Sequence, residues 1–415
     1  MLTRAALKNP YAVFAICMIA LILGAVSYQK MRVDIFPEIK LPSILVTTFY
    51  RGLSPSEMEG AITLKMEQRF VEASYVEHIE SQSLSGMSYI KVFFQPDYGI
   101  DSAQSELTSL AYSIIRLLPP GVYPPSVYKF GVSSLPVGYL SISSDTLGPK
   151  EIRDLAYFNV RQQIATIPGI SFGPPLGGKV RQITVFLDQQ RLLARGVSPS
   201  EVVNALNAQS AIIPAGDIKI GDLDYYVYSN SLVDVVDKIN DIPIKIVNGT
   251  PVLIRDIGTA ADSAAVQTSI VRVNGREATY IPITRQEGAN TLEVTDGIRA
   301  KLSKLTEIPA GTTVKFLYDQ SLYIRQAIAN LQKEGLLGAG LAGLMIFIFL
   351  ASVKAALVVG LAIPLSLTAA LVALYLTGQS VNLMTLGGLA LVIGTLLDNN
   401  IVVQENLHRH LDMGK

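Results

Sequence analysis

Asp398 is an ionisable residue inside an apolar run. Residues 383–403 read LMTLGGLALVIGTLLDNNIVV, long enough to cross a bilayer core of about 30 Å. A carboxylate at that depth costs at least about 2.5–3.5 kcal/mol, so it persists where it pairs, faces a wet cavity or carries protons. Asn399 and Asn400 follow it. An amide does not titrate, but it can hydrogen-bond a neighbouring carboxylate. Two chemistries fit: a structural hydrogen bond between helices, or transport driven by proton uptake and release. The second is the expectation taken forward.

Other residues that could do chemistry form no convincing set. His408 and His410 are two apart on an expected helix, so they point to different sides and make a poor metal pair. His78 stands alone in an expected strand, and no Ser/His/Asp or Cys/His grouping supports hydrolysis. The nine methionines are scattered, so neither a metal nor a cofactor is expected. Asn248-Gly249-Thr250 fits a glycosylation sequon without a role to go with it. The single cysteine, Cys17, lies in an apolar run and cannot form an internal disulfide.

The elements that must position Asp398 are membrane spans. Hydrophobic residues make up 49% of the chain and the mean hydropathy is +0.37. Those values indicate a membrane protein with a large water-exposed part. The 34 basic and 34 acidic residues cancel, which points away from nucleic acid as a partner. Apolar spans fall at 11–28, 335–351, 355–375 and 383–403, the last three joined so closely that they must form helical hairpins. The first span lacks a small-residue cleavage site and reads as an uncleaved helix. Arg4, Lys8, Lys354, Arg409 and Lys415 fall on one side of a chain that crosses four times, while 378–382 carries no charge. The positive-inside rule then puts both chain ends in the cytoplasm and residues 30–333 outside it.

The outer region reads as folded α/β modules. Strand-like runs at 43–50, 76–83, 88–95 and 126–130 alternate with helix-like segments at 55–74 and 101–118. The first of these helices opens with the cap signal Ser54-Pro55-Ser56-Glu57. The order is βαββαβ, the ferredoxin-like unit. It begins again with a strand at 137–143, placed after Pro136 because proline cannot donate to a ladder. A helix at 150–167 and a strand near Ile170 follow. The second copy is completed by strands at 269–274 and 278–284, a helix at 292–305 and a strand at 313–318. An insertion at about 179–264, with its own helix at 199–208, interrupts it after the turn-rich junction at 172–178. A duplicated unit with an insert is a specific topology.

The chain closely resembles the resistance–nodulation–division (RND) efflux transporters of the AcrB-like hydrophobe/amphiphile type, along its whole length. The resemblance rests on Arg4…Asn9-Pro10, on Val33-Asp34-Ile35-Phe36-Pro37 and on Gly52-Leu53-Ser54-Pro55-Ser56-Glu57-Met58-Glu59. It rests most on Gly388-Leu389-Ala390-Leu391-Val392-Ile393-Gly394 running into Asp398, then Ile401-Val402-Val403-Gln404-Glu405-Asn406. It implies a membrane α-helical bundle plus an α+β periplasmic region, with duplicated ferredoxin-like porter subdomains and an inserted docking subdomain. The divisions expected are 1–32 for the first membrane helix, 33–130 for the first porter subdomain, and 131–178 with 265–325 for the second. The docking insert takes 179–264, membrane helices two to four 326–405, and a cytoplasmic segment begins at 406–415.

The resemblance further implies a proton antiporter rather than an enzyme. It would act as a homotrimer in the inner membrane with a periplasmic adaptor protein and an outer-membrane channel, exporting apolar or amphiphilic small molecules. Many multidrug members carry two adjacent acids in span four; here Asp398 takes the first position and Asn399 the second. Relatives also have a second half repeating this architecture, so the chain is expected to be an N-terminal portion. The alternative is a non-transporting scaffold or truncated pump half that acts only through partner binding. Positions resembling the family's pocket aromatics are Leu135 and Leu176, with Val137, Tyr139 and Tyr280 nearby. Glycines crowding spans two and four (Gly335, Gly338, Gly340, Gly343, Gly387, Gly388 and Gly394) read as close helix packing, and Pro364 reads as a kink.

Overall fold

The computed structural model describes residue 6 and residues 8–413 apart from 38–41, 51, 132–133, 210–211, 231–234, 248, 268 and 351. Arg4, Asn248 and Lys415 therefore lie outside the described residues.

The first α/β unit begins with the β-branched strand Ser43–Phe49 and continues through Val76–Leu84, Met87–Phe94 and Ser126–Phe130. These pair in the order second–third–first–fourth, every neighbour antiparallel. A helical segment from Pro55 to Phe70 covers the sheet. It starts as the sequence signals. The Ser54 hydroxyl accepts the Glu57 N–H at 3.4 Å, and Glu57 Oε2 accepts the Ser54 N–H at 2.9 Å. The Ser54 N–H, then its hydroxyl, hold the Glu57 carboxyl below its usual pKa. These bonds satisfy donors that the first turn would otherwise orphan.

This segment buries Met58, Ile62, Met66 and Phe70, evenly four residues apart. In an α-helix such spacing drifts about 40° per step, since each residue turns about 100°. A wider π turn at Glu59–Thr63 absorbs the drift and keeps the stripe on the sheet. The second unit repeats the device. Its segment from Pro149 to Ile164 buries Ile152, Ala156, Val160 and Ile164 across a π turn at Leu155–Val160.

The second unit has strands Gly138–Ser144, Ile170–Phe172, Thr279–Arg285 and Thr312–Leu317 in the order fourth–first–third–second, again antiparallel throughout. Helix Thr291–Leu302 completes it. The strand expected at 269–274 is corrected: only Arg272–Val273 is extended, paired with Arg276–Glu277 outside the sheet. Asn274 and Gly275, at φ 52° and 82°, end it in a two-residue turn, and residues 269–271 before it belong to no strand.

The insert leaves and rejoins this unit through one ladder, Arg181–Leu187 against Gly258–Ala264, with Arg181 opposite Ala264. Its own small core gathers Leu192, Val197, Val202, Val252 and Ile257. Helix Pro199–Gln209 and the hairpin Ile212–Ile220/Leu223–Asn230 extend from it.

Among the described residues four helices are long and apolar enough to cross a membrane: Pro10–Lys30, Ser321–Leu350, Val353–Leu376 and Leu383–Asp412. The second starts at Ser321 and runs without a break into the span expected from residue 335. The fourth runs through 406–412, where a cytoplasmic segment was expected to begin. Gly24 lets the first helix press on the third; a Cβ there would sit 2.4 Å from Thr368 Cβ.

Candidate functional site

The helix that carries Asp398 has a fixed start. Asn382 is fully buried, and its Oδ1 accepts the N–H groups of Met384 and Thr385, each at 3.0 Å. Its amide donates to Ser380 O at 3.2 Å. Further along, Ile393, Leu397 and Ile401 form the stripe facing the second helix, and Leu397 and Ile401 pack with Ala342, Ile346 and Val359. Asp398 is one residue on from Leu397, turned about 100° from that seam, and it is exposed, as is Asn399; Asn400 is half-buried. Among the described residues no hydrogen bond or ion pair reaches its carboxylate. Each span buries no more than 17% of its apolar window, so broad faces remain for lipid or further helices.

The glycine reading divides. Gly335 and Gly338 approach Ile393 and Leu397, and Gly343 approaches Ala356 O, which is close packing. A Cβ at Gly340, Gly387, Gly388 or Gly394 would meet nothing within 4 Å, so packing among the described residues does not account for them. Three turns of the fourth helix thus present Gly387, Gly394 and Asp398 along one uncovered stripe.

The residues expected to line a pocket separate into two groups. Tyr139 and Tyr280 meet edge to face at 5.3 Å, and Leu176, 40% exposed, pairs in register with Tyr280. These project from the sheet face opposite the covering helices, because the core-facing positions are Leu140, Ile142, Ile281 and Ile283. Leu135 is 49% exposed just ahead of the first strand. Val137 is corrected: it is 2% exposed and belongs to the unit's core, so its side chain lines no surface. Tyr318, exposed and 6.2 Å from Tyr139, joins the aromatic group. Its position directly after the strand that pairs with Tyr139 was the available signal. Among the described residues no cluster of His, Cys, Asp or Glu could hold a metal.

Two polar junctions, each with a buried or largely buried carboxylate, tie the second unit to the membrane helices. After the first helix, Asp34 N–H donates to Val381 O and Val381 N–H to Arg32 O, both at 2.9 Å, and Leu383 N–H donates to Ile35 O at 3.1 Å. The Asp34 carboxylate pairs with Arg285, their side chains only 14% and 12% exposed. It also accepts the Thr291 hydroxyl at 3.0 Å and the Ile35 N–H at 2.8 Å. At the second junction buried Asp319 pairs with Arg299 and accepts the Ser321 N–H at 2.9 Å, capping the second helix. Arg325 grips Asp296 with both contacts at 2.6 Å. Gln320 N–H donates to Val137 O at 3.0 Å. None of these pairs was foreseen; Asp34–Arg285 joins residues 251 apart in sequence.

Val381 meets Val33 in a parallel bridge, so the first helix's end, the second's start and the loop before the fourth share one side with the α/β region. The chain is a multipass membrane protein with a large folded region on that side. The sequence model of the AcrB/AcrD/AcrF family matches residues 2–415, and the chain belongs to that family. It is accordingly an RND transporter, and its four spans fit placement in the inner membrane.

Proposed function

We propose that the protein exports apolar or amphiphilic small molecules across the cell envelope, driven by protons that Asp398 takes up and releases. The observation that carries this reading is the Asp398 carboxylate in an apolar span, on a face that the chain's other helices leave uncovered. A carboxylate so placed needs water or a cationic partner from outside these four helices when charged, and needs neither when protonated. Protonation then changes which helix arrangement is preferred. Asn399 and Asn400 are its polar neighbours. One proton crossing 100 mV releases about 2.3 kcal/mol, and one pH unit adds about 1.4 kcal/mol. That sustains a substrate gradient of roughly several hundred-fold per proton.

The matching strand orders and repeated π turns support reading the two units as duplicated ferredoxin-like porter subdomains with an inserted docking subdomain. In this reading they lie in the periplasm, the protein assembles as a homotrimer with an adaptor protein and an outer-membrane channel, and substrate contacts Leu135, Tyr139, Leu176, Tyr280 and Tyr318. The match to a transporter family along 2–415 weighs against a scaffold that only binds partners.

The test is export by the transporter in proteoliposomes under an imposed pH gradient. Asp398→Asn keeps size and much of the hydrogen bonding but cannot titrate, and export should fall to background with assembly intact. Asn399→Asp, which adds a second acid, should retain most activity. Undiminished export by the Asp398→Asn protein overturns the reading.

A further inference from the structure

Helix Thr291–Leu302 of the second unit is held at two places by two different parts of the membrane domain. At its first residue, Thr291 N–H donates to Val33 O at 3.1 Å and the Thr291 hydroxyl donates to Asp34. Asp34 in turn pairs with Arg285, the last residue of the neighbouring strand. About two turns later, Arg299 pairs with Asp319, and Asp296 is gripped by Arg325. Thr291 and Arg299 are eight positions apart, about 12 Å along the axis.

The two holds lead to different membrane helices. Asp34 is stitched by backbone hydrogen bonds to Val381, and its neighbour Ile35 to Leu383, the first residue of the helix that carries Asp398. Ser321 and Arg325 belong to the first turns of the second membrane helix, and Asp319 lies two residues before its start. No slack separates either hold from its helix. The cap at Asn382 is fully buried, and Leu292 packs into the same apolar cluster as Val33, Ile324, Val381 and Leu386. Buried charges anchor each hold, and such groups keep their partners because an unpaired buried charge is strongly disfavoured.

We propose that helix Thr291–Leu302 is a lever, with Asp34–Arg285–Thr291 and Asp319–Arg299 as its two attachment points. A shift of the Asp398 helix relative to the second membrane helix displaces one end of the lever against the other, and the second α/β unit rotates. Asp34, Arg285 and Arg299 are positioning residues: they touch neither proton nor substrate, and they transmit what Asp398 starts. The lever rests on the proton-driven reading given above, and it adds where the motion leaves the membrane and which unit receives it.

The test measures spin-label distances in the full chain in lipid nanodiscs, with Cys17→Ser removing the native thiol. A membrane pair, Leu391→Cys with Leu341→Cys, reports the fourth helix against the second. A transmission pair, Phe158→Cys with Leu376→Cys, reports the second unit against the membrane. Introducing Asp398→Asn as a neutral mimic should shift both pairs by about 1–2 Å or more. In the Arg285→Gln background the membrane pair should still shift while the transmission pair loses its response, and Arg285→Lys, which keeps the charge, should restore it. A transmission pair that responds undiminished in Arg285→Gln overturns the lever and leaves the proton reading standing. If Asp398→Asn moves neither pair in the parent, both fall. A measurement with every clamp intact guards against misfolding: labels at Glu293 and Ala300, each paired with Leu376, should shift by different amounts on Asp398→Asn. Equal shifts mean translation without rotation and overturn the lever.

Discussion

The two α/β units share a strand order and a π-turned first helix, yet they are attached to the rest of the protein in opposite ways. The second unit reaches the membrane helices through the largely buried pair Asp34–Arg285 and through buried Asp319, which pairs with the more exposed Arg299. The first unit keeps its polar locks to itself. Glu106 accepts the Ser74 N–H at 3.0 Å and the Tyr98 hydroxyl at 2.9 Å, closing the loop after one helix onto the approach to the next. An ion pair from it to the second unit, Lys129 to Glu287 at 3.5 Å, is exposed on the carboxylate side. Similar cores thus serve different mechanics. The second unit is fastened to the starts of two membrane helices, whereas the first meets the second unit through a pair with an exposed carboxylate.

The largest test of this contrast is Asp34→Ala. It leaves the Arg285 guanidinium buried without its partner, which should cost about 3–5 kcal/mol. Thermal unfolding should show the loss in the second unit and the membrane junction, with the first unit's melting unchanged; a uniform drop across both units breaks the comparison.

A second difference lies at equivalent strand starts. Ser43 begins the first strand of one unit and donates its hydroxyl to Phe130 O at 2.6 Å. Gly138 begins the other, where a Cβ would lie 2.4 Å from the Phe316 ring. Gly138→Ser should therefore overpack the second unit and cost about 1–3 kcal/mol. Ser43→Gly should cost about 0.5–1.5 kcal/mol through the lost hydrogen bond. Chemical denaturation of the two variants checks the ranking.

Acid should separate the units as well. Burial opposes the Glu106 charge, but the Ser74 N–H and the Tyr98 and Ser74 hydroxyls outweigh it and hold the pKa below its ordinary 4.5. A carboxyl depressed in the folded state contributes stability above its unfolded pKa and loses it as pH falls through the folded value. The first unit should accordingly loosen below about pH 4.5, and Glu106→Gln should flatten that dependence in hydrogen exchange. The smallest effect is expected at the link between the units. Lys129→Ala removes a pair with two exposed carboxylates, Asp101 and Glu287, and should change stability by about 0–1 kcal/mol. A larger loss there would mean that the units are joined more firmly than their geometry implies.

Much of this protein was legible in the sequence because its signals are local. Strand Ser126–Phe130 matches its expected limits, and the other sheet strands fall within a residue or two of theirs, apart from the run at 269–274. Alternating and helical hydrophobic periods are set by backbone geometry over a few residues. The Ser54–Glu57 cap and the apolar spans were equally plain, for the same reason. The four-residue spacing of Met58, Ile62, Met66 and Phe70 was also there to be read as a π turn, but helix patterning at 3.6 residues hides it. Asp398 stood out because a carboxylate in hydrocarbon conflicts with everything around it.

What the tertiary structure alone decided depends on contacts between distant segments. Alternation would put Val137 and Tyr139 on one face, yet Val137 sits in the core, because it precedes the strand Gly138–Ser144 and is held by hydrogen bonds with Ile283 and Gln320, far off in sequence. Asp34 looks like a surface acid at the end of a membrane helix until Arg285 and Thr291 are folded against it. Composition and periodicity determined that the chain crosses a membrane and carries α/β units outside it. Only the fold determined which unit grips the helices, because an ion pair between residues 251 apart leaves no trace in either one's neighbourhood.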